Sequence, residues 1–450
     1  MGRGLLNSGG LMDFEPQALV IASGNIPWQL LSDALVEDGW RIRTVDSLSW
    51  ATAALKDTRF DVVLLDVTEV SGAKDIADLR DASPERYLPV LGLGDVQEEC
   101  CSYGLDLLLA GTPHPAQITL RLEQLLRAAV AEEEFELRRE TFAGYGVSMD
   151  TPNEQVPPIS VLAVGAADHR FLGLSNSLEE AGVQVVAAPT PYTAFDYLHE
   201  RNFDAAVLWG GENRAVAMSI ASGMKRNTRL YHIPIMLYLQ KGEEVNLADL
   251  YRRGFADVAE GEVSEQETGE RIIALARHHR RRVAIRRALD SARSSHLTDP
   301  VTGLFHREPF ASHLGRVYSS AKSRKRPLSL CVLKVVRTEN LNRINQAGWL
   351  DRALPQVGAM VSRLVRVEDT AASLASDTFA LMMPATRADA ARMAAERIAA
   401  VIACTAFEAG EGRSPFVIEF DIGVAEMKDG EGPVQLLERA VSDARQKVPA

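Results

Sequence analysis

From Ala18 to about residue 138, short apolar runs alternate with segments whose apolar positions recur every three or four residues. Ala18-Leu-Val-Ile-Ala22 predicts a strand, Trp28 to Gly39 a helix and Trp40 to Val45 a second strand, the rhythm of a parallel α/β domain. Phe60-Asp-Val-Val-Leu-Leu-Asp66 stays apolar until it ends on a carboxylate, as a central strand covered on both faces does. Open α/β sheets place their chemistry at that carboxyl end. A polar stretch from Glu132 to Glu140 and a Gly/Pro-rich segment from Gly144 to Pro158 then break the pattern, and Pro152, Pro157 and Pro158 block helix continuation.

The rhythm restarts at Ile159, and Phe203-Asp-Ala-Ala-Val-Leu-Trp209 repeats the earlier strand at an offset of 143 residues (203 minus 60), which points to an internal duplication. A helix from Glu270 to Ser295, dense in arginine, follows and reads as a solvated connector with basic faces. Beyond it come a strand at Leu328 to Val336, a helix at Pro355 to Val365, a strand at Phe379 to Met383, a helix at Arg387 to Cys404, a strand at Phe416 to Ala425 and a helix at Pro433 to Val448. This is an α+β mixture of one domain's size. The expected division is domain one at 16–138, a linker at 139–158, domain two with its connecting helix at 159–295 and domain three at 296–450.

Composition narrows the function. With 450 residues, about three domains are expected. Acidic side chains outnumber basic ones 61 to 49, giving a formal charge of -12, which argues against a phosphate-neutralising surface and so against nucleic acid as partner. No apolar run is long enough to span a bilayer, and the opening residues lack the apolar core of a secretory signal, so a cytoplasmic place and no membrane contact are expected. Cys100, Cys101, Cys331 and Cys404 form no CxxC pair and no ligand set, which suggests neither disulfides nor structural zinc.

Four motifs in order carry a family resemblance. Asp299-Pro-Val-Thr-Gly-Leu-Phe-His-Arg307 resembles the DxLTGLxNR opening of GGDEF diguanylate cyclase domains, and Leu341-Asn-Arg-Ile-Asn345 resembles their FKxxN. Arg366-Val-Glu-Asp369 resembles their inhibitory RxxD, and Ala375-Ser-Asp-Thr-Phe379 occupies the signature slot at the family's spacing. The two upstream repeats resemble receiver domains. The resemblance therefore implies an α/β chain of two flavodoxin-like receiver domains followed by an α+β, nucleotide-cyclase-like GGDEF domain, the PleD layout. An intact RxxD beside an altered signature most resembles PopA-like members of that layout.

The departures shape the expected function. In the family, two Mg²⁺ ions held by carboxylates align two GTP molecules for phosphoryl transfer. Arg337 stands where one metal carboxylate belongs, Ala375 and Ser376 replace the glycine pair, Asp377 remains, and Thr378 replaces a glutamate. A cation at Arg337 repels Mg²⁺, so the expectation is a degenerate active site, no bound metal and no enzyme. By the same resemblance, Asn342 replaces the family's lysine, while Asn345 and Asp351 stand at positions that contact guanine in the family. Arg366 and Asp369 form a complete reader of guanine: a planar fork for O6 and N7, and a carboxylate for N1-H and N2-H₂. The resemblance adds Arg397, near the phosphates, and cyclic di-GMP as regulatory ligand.

Asp66 is the candidate phosphoacceptor of the first receiver, but Ala22 and Ser23 stand where its metal-holding acidic pair belongs, and Trp209 replaces the acceptor in the second. Trp209 is expected to supply contact area for docking. The reading that follows is a catalytically inactive cyclic di-GMP effector, a cell-cycle adaptor for regulated proteolysis that recruits a protease adaptor or its substrate through its receivers, dimerises and acts at the cell pole. Two alternatives from other classes are a weak diguanylate cyclase and a phosphorylation-driven switch at Asp66.

Overall fold

The protein is described here by a computed structural model, which covers the chain except residues 1–14, 23–27, 85–86, 95–102, 110–112, 153–157, 166–167, 211–213, 228, 241, 243–244, 262, 292–295, 300–301, 411–412 and 447–450. Ser23, Cys100, Cys101 and the end of the arginine-rich segment lie outside the described residues. No described helix is long and apolar enough to cross a membrane.

The first domain runs β1 (Gln17–Ile21), α1 (Trp28–Glu37), β2 (Arg41–Val45), α2 (Leu48–Asp57), β3 (Val62–Asp66), α3 (Ala73–Ala82), β4 (Val90–Leu93), β5 (Leu107–Leu109) and α4 (Pro115–Gly144). The second runs β6 (Ser160–Val164), α5 (His169–Glu180), β7 (Gln184–Ala188), α6 (Pro191–Glu200), β8 (Ala205–Trp209), α7 (Arg214–Arg226), β9 (Ile235–Tyr238), α8 (Leu247–Arg252), β10 (Asp257–Ala259) and α9 (Glu265–Ser291). Their parallel sheets are ordered β2-β1-β3-β4-β5 and β7-β6-β8-β9-β10, the same flavodoxin-like winding twice. Central β3 and β8 are buried at every position, which is why both read as unbroken apolar runs. Edge strand β2, half-exposed, carries two arginines instead.

Two sequence expectations change in these domains. Trp209 is only 7% exposed and offers no docking area. Its ring stacks on Tyr238 at 4.4 Å, meets Phe171 edge-on at 5.3 Å, and donates from Nε1 to Asp168 at 3.3 Å. An indole at the end of a central strand buries more apolar area by filling the cleft than by standing in water. The arginine-rich helix is not simply solvated either. In α9, Arg271 is buried with Asp257, and Arg280 bonds Asp204 and the carbonyl of Pro158. Asp257 also receives Arg121 at 2.5 Å and Gln117 at 2.8 Å from α4, so a buried ionic knot joins the two domains.

Two compact units emerge, one from Glu15–Ala129 with Asn153–Ala284, the other from Val130–Pro152 with Ile285–Ala450. The polar stretch expected to begin a linker is helix through Gly144, because its glutamates favour helix and Ala131, Phe135 and Phe142 supply a buried stripe.

In the second unit, α10 (Arg307–Arg324), β11 (Leu328–Val335), α11 (Glu339–Gln346), α12 (Trp349–Leu364), β12 (Thr370–Ala375), β13 (Thr378–Pro384), α13 (Ala388–Ala403), β14 (Phe420–Glu426) and α14 (Pro433–Gln446) build an antiparallel sheet ordered β12-β13-β11-β14. Alternation along β11 divides the interior. Leu328, Leu330 and Val332 face a core with α10, α14 and the second half of α4, while Cys331, Leu333 and Val335 face one with α11, α12 and α13.

Candidate functional site

Helix α12 ends at Leu364, and the chain turns through Arg366 to Asp369 before entering edge strand β12. The turn closes on itself: the Asp369 N–H donates to the Arg366 carbonyl at 3.3 Å, and Asp369 Oδ2 accepts from the Arg366 N–H at 3.1 Å. Asp369 is buried and Arg366 half-buried. The Arg366 guanidinium has no hydrogen-bond or ion-pair partner among the described residues, so the surface salt bridge that this spacing would otherwise suggest is not formed.

Both residues line a cavity of about 50 Å³ whose wall includes Arg138, Arg286, Phe305 and Val365. That volume holds a water molecule or two, so a purine would have to engage the site at its mouth. Arg397 lies exposed on α13 and lines no part of this cavity. The structure thus brings Arg366 and Asp369 together and leaves Arg397 apart.

Arg138 and the groups around it escaped sequence reading, and Arg286 reads from sequence only as part of a solvated connecting helix. Arg138 Nη2 donates to Glu134 Oε1 at 2.8 Å, Thr370 Oγ1 at 2.7 Å and the Asp369 carbonyl at 3.3 Å. His313 Nε2 meets the same Glu134 oxygen at 2.8 Å, and its Nδ1 meets Thr141 Oγ1 at 3.0 Å. Burial alone would raise the Glu134 pKa, but the charges of His313 and Arg138 and the hydrogen bonds from His313 and Thr370 hold it down at about 2. Arg286 donates to the Val365 carbonyl at 3.2 Å. The opening motif contributes indirectly: Asp299 Oδ1 accepts from the Thr302 N–H, and Phe305, pinned to β12 through the Ala371 carbonyl, places its ring 5.6 Å below the Arg138 guanidinium. No local signal ties α4 to this turn; only the stripe through Phe135 and Phe142 marks that stretch for burial.

The signature slot forms the β12–β13 hairpin, with Ala375 opposite Thr378 and Ser376 and Asp377 at the tip. Neither Ala375 nor Ser376 takes a positive φ, so the turn is made without the freedom a glycine pair would give. Arg337 grips Asp377 Oδ2 from Nε at 3.2 Å and Nη2 at 2.9 Å, and Thr378 Oγ1 donates to Oδ1 at 3.0 Å. Partial burial pushes the Asp377 pKa up, yet these bonds and the Arg337 charge leave it lowered. Asn342, Asn345 and Asp351 lie on α11 and the first turn of α12.

Asp66 is 1% exposed at the end of β3. Its Oδ1 accepts from the N–H and Oγ1 of Thr68 at 3.0 and 2.6 Å, capping a one-turn helix at Val67–Glu69, and its Oδ2 has no partner among the described residues.

Residues 296–447 match the family model described as Diguanylate cyclase, GGDEF domain. Response regulator PleD of Caulobacter vibrioides (strain NA1000 / CB15N) is 22% identical over 437 residues, covering 92% of each chain. Diguanylate cyclase DgcP of Pseudomonas aeruginosa is 30% identical over 156 residues, 34% of this chain and 22% of its own. Among solved structures, the GGDEF domain of FimX from Pseudomonas aeruginosa aligns at 22% identity and a TM-score of 0.31, covering 34% of this chain and 93% of that one.

These matches overturn the expectation that the chain is not an enzyme, because the family model and the relatives point to the diguanylate cyclases. The physics of the slot does not oppose them: a partly exposed ion pair such as Arg337–Asp377 is worth about 0–1 kcal/mol. The third domain is a GGDEF domain of nucleotide-cyclase-like fold, preceded by two flavodoxin-like domains in a chain similar to a response regulator over most of its length.

Proposed function

We propose that the chain is a cyclic di-GMP-related response regulator that binds the dinucleotide at Arg366 and Asp369 and recruits protein partners through its receiver domains. One observation carries the site assignment: a half-buried guanidinium without a protein partner among the described residues stands beside a buried carboxylate, the two groups that together satisfy the guanine edge. Arg397 is assigned the phosphates, which would have to be reached from outside the cavity. The likeness to PleD supports the receiver assignments at 16–138 and 159–295, and the DgcB GGDEF domain from Caulobacter crescentus has been solved in complex with c-di-GMP.

The PopA-like combination of an intact RxxD with Ala375 and Ser376 supports an adaptor role in cell-cycle proteolysis at the cell pole, with a protease adaptor or its substrate as partner and a homodimer as the working form. A second reading, synthesis of cyclic di-GMP from GTP, is favoured by the family match itself. Phosphorylation of Asp66 is a weaker third, since the acceptor oxygen would have to emerge from a buried strand end.

Purified full-length protein and an Arg366→Ala variant, incubated with lysate with and without cyclic di-GMP, test the first reading. Ligand-dependent capture of a partner by wild type alone is expected. Capture by the variant without ligand would separate recruitment from the nucleotide. GTP turnover with Mg²⁺ or Mn²⁺, beside an Asp377→Asn control, tests the second.

A further inference from the structure

Arg138 lies outside the segment matched to the GGDEF family, 231 residues before the carbonyl it holds. It is 9% exposed, and its guanidinium packs over Phe305 while donating to Glu134, Thr370 and the backbone of Asp369. The Nε of Arg138 is buried and has no acceptor among the described residues, although the side chain lines the same cavity as Arg366 and Asp369. Arg138 is not the sole partner of Glu134, because His313 and Thr370 bond the same oxygen. What Arg138 adds is a clamp on the peptide carbonyl of the RxxD aspartate and on the next side chain.

We infer that Arg138 is a positioning residue for the RxxD turn: through the Asp369 carbonyl and Thr370 it fixes the direction in which Asp369 presents its carboxylate beside the Arg366 fork. A carboxylate reads two guanine donors only when held in the base plane, so a turn free to rotate about the Asp369–Thr370 peptide would lose bidentate geometry while keeping every side chain. Glu134 is the second member of the device, since it holds the guanidinium at the correct height above Phe305. Conformation in the second half of α4 thereby governs the competence of a site that the GGDEF segment alone encodes. The effect on ligand rests on the cyclic di-GMP reading above; the effect on the turn does not.

The test uses full-length Arg138→Ala, Arg138→Lys and, as an exposed neighbour, Arg139→Ala. In ligand-free protein, amide hydrogen exchange across residues 366–370 should rise at least tenfold in Arg138→Ala, rise less in Arg138→Lys, and stay at the wild-type rate in Arg139→Ala. Titration with cyclic di-GMP should follow the same order, with at least a tenfold loss of affinity in Arg138→Ala. Unchanged exchange at the turn overturns the inference whatever the ligand does, and so does wild-type affinity in Arg138→Ala. Altered exchange in a protein whose wild type takes up no cyclic di-GMP would instead refute the ligand assignment and leave the positioning role standing. Should Arg138→Ala not fold, the exchange comparison between Arg138→Lys and wild type decides, with equal rates counting against the clamp.

Discussion

Gly165 shows how one residue fixes the shape of a site. Its φ is +142°, and a Cβ added there would lie 2.4 Å from Trp209 Cβ, a separation that no side-chain adjustment relieves. The indole can fill the cleft above β8 only because the loop after β6 has no side chain there. Gly165→Ala should therefore destabilise the second domain by about 1–3 kcal/mol, through overpacking and a strained backbone. Chemical denaturation followed by tryptophan fluorescence would measure this, and an unchanged midpoint would mean that the loop can move aside. Sequence alone exposed the substitution of Trp209 for a phosphoacceptor but gave its role wrongly, since whether an aromatic lies outward or inward depends on the size of the residue across the cleft. Asp66 presents the same limit: the strand that ends on it was legible, its burial and its bonds to Thr68 were not.

Elements were legible wherever periodicity was strong. The repeated winding of the two sheets follows from apolar runs at a constant offset, and the elements read in the third domain fall close to β11, α12, β13, α13, β14 and α14, whereas α10, α11 and β12 were not read. Helix α4 was not, because glutamates read as a boundary when their apolar partners lie in another part of the chain. The same long-range dependence explains why Asp257 went unremarked: its partners Arg121 and Arg271 arrive from two different helices. Burial would raise the Asp257 pKa, but the charges of Arg121 and Arg271 and the bonds to it hold it at about 2, below its ordinary 3.8. A depressed carboxylate stabilises the folded state fully above its unfolded pKa, and that contribution disappears as pH falls from about 3.8 through about 2. The loss should reach about 2 kcal/mol, read as a steepening of acid destabilisation that is absent in Asp257→Asn. Parallel curves for the two proteins would show that the knot does not titrate with folding.

At the scale of the whole molecule, the chain combines two flavodoxin-like domains with a GGDEF domain whose signature hairpin carries Arg337 on Asp377 and whose RxxD turn holds an unpaired guanidinium among the described residues. Motif order made the layout readable, since four weak patterns at family spacing constrain each other. What the motifs left out is the ring of groups behind the turn, drawn from α4, α9 and α10. The central claim is that the turn is a nucleotide reader, and calorimetric titration of the full-length protein with cyclic di-GMP, wild type beside Arg366→Ala, tests it most directly. Saturable binding to wild type and at least a tenfold weaker dissociation constant in the variant are predicted, since the guanine acceptors lose their charged donor, a change of about 1.5–3 kcal/mol. An equal dissociation constant for the two proteins, or no binding to wild type, would contradict the account.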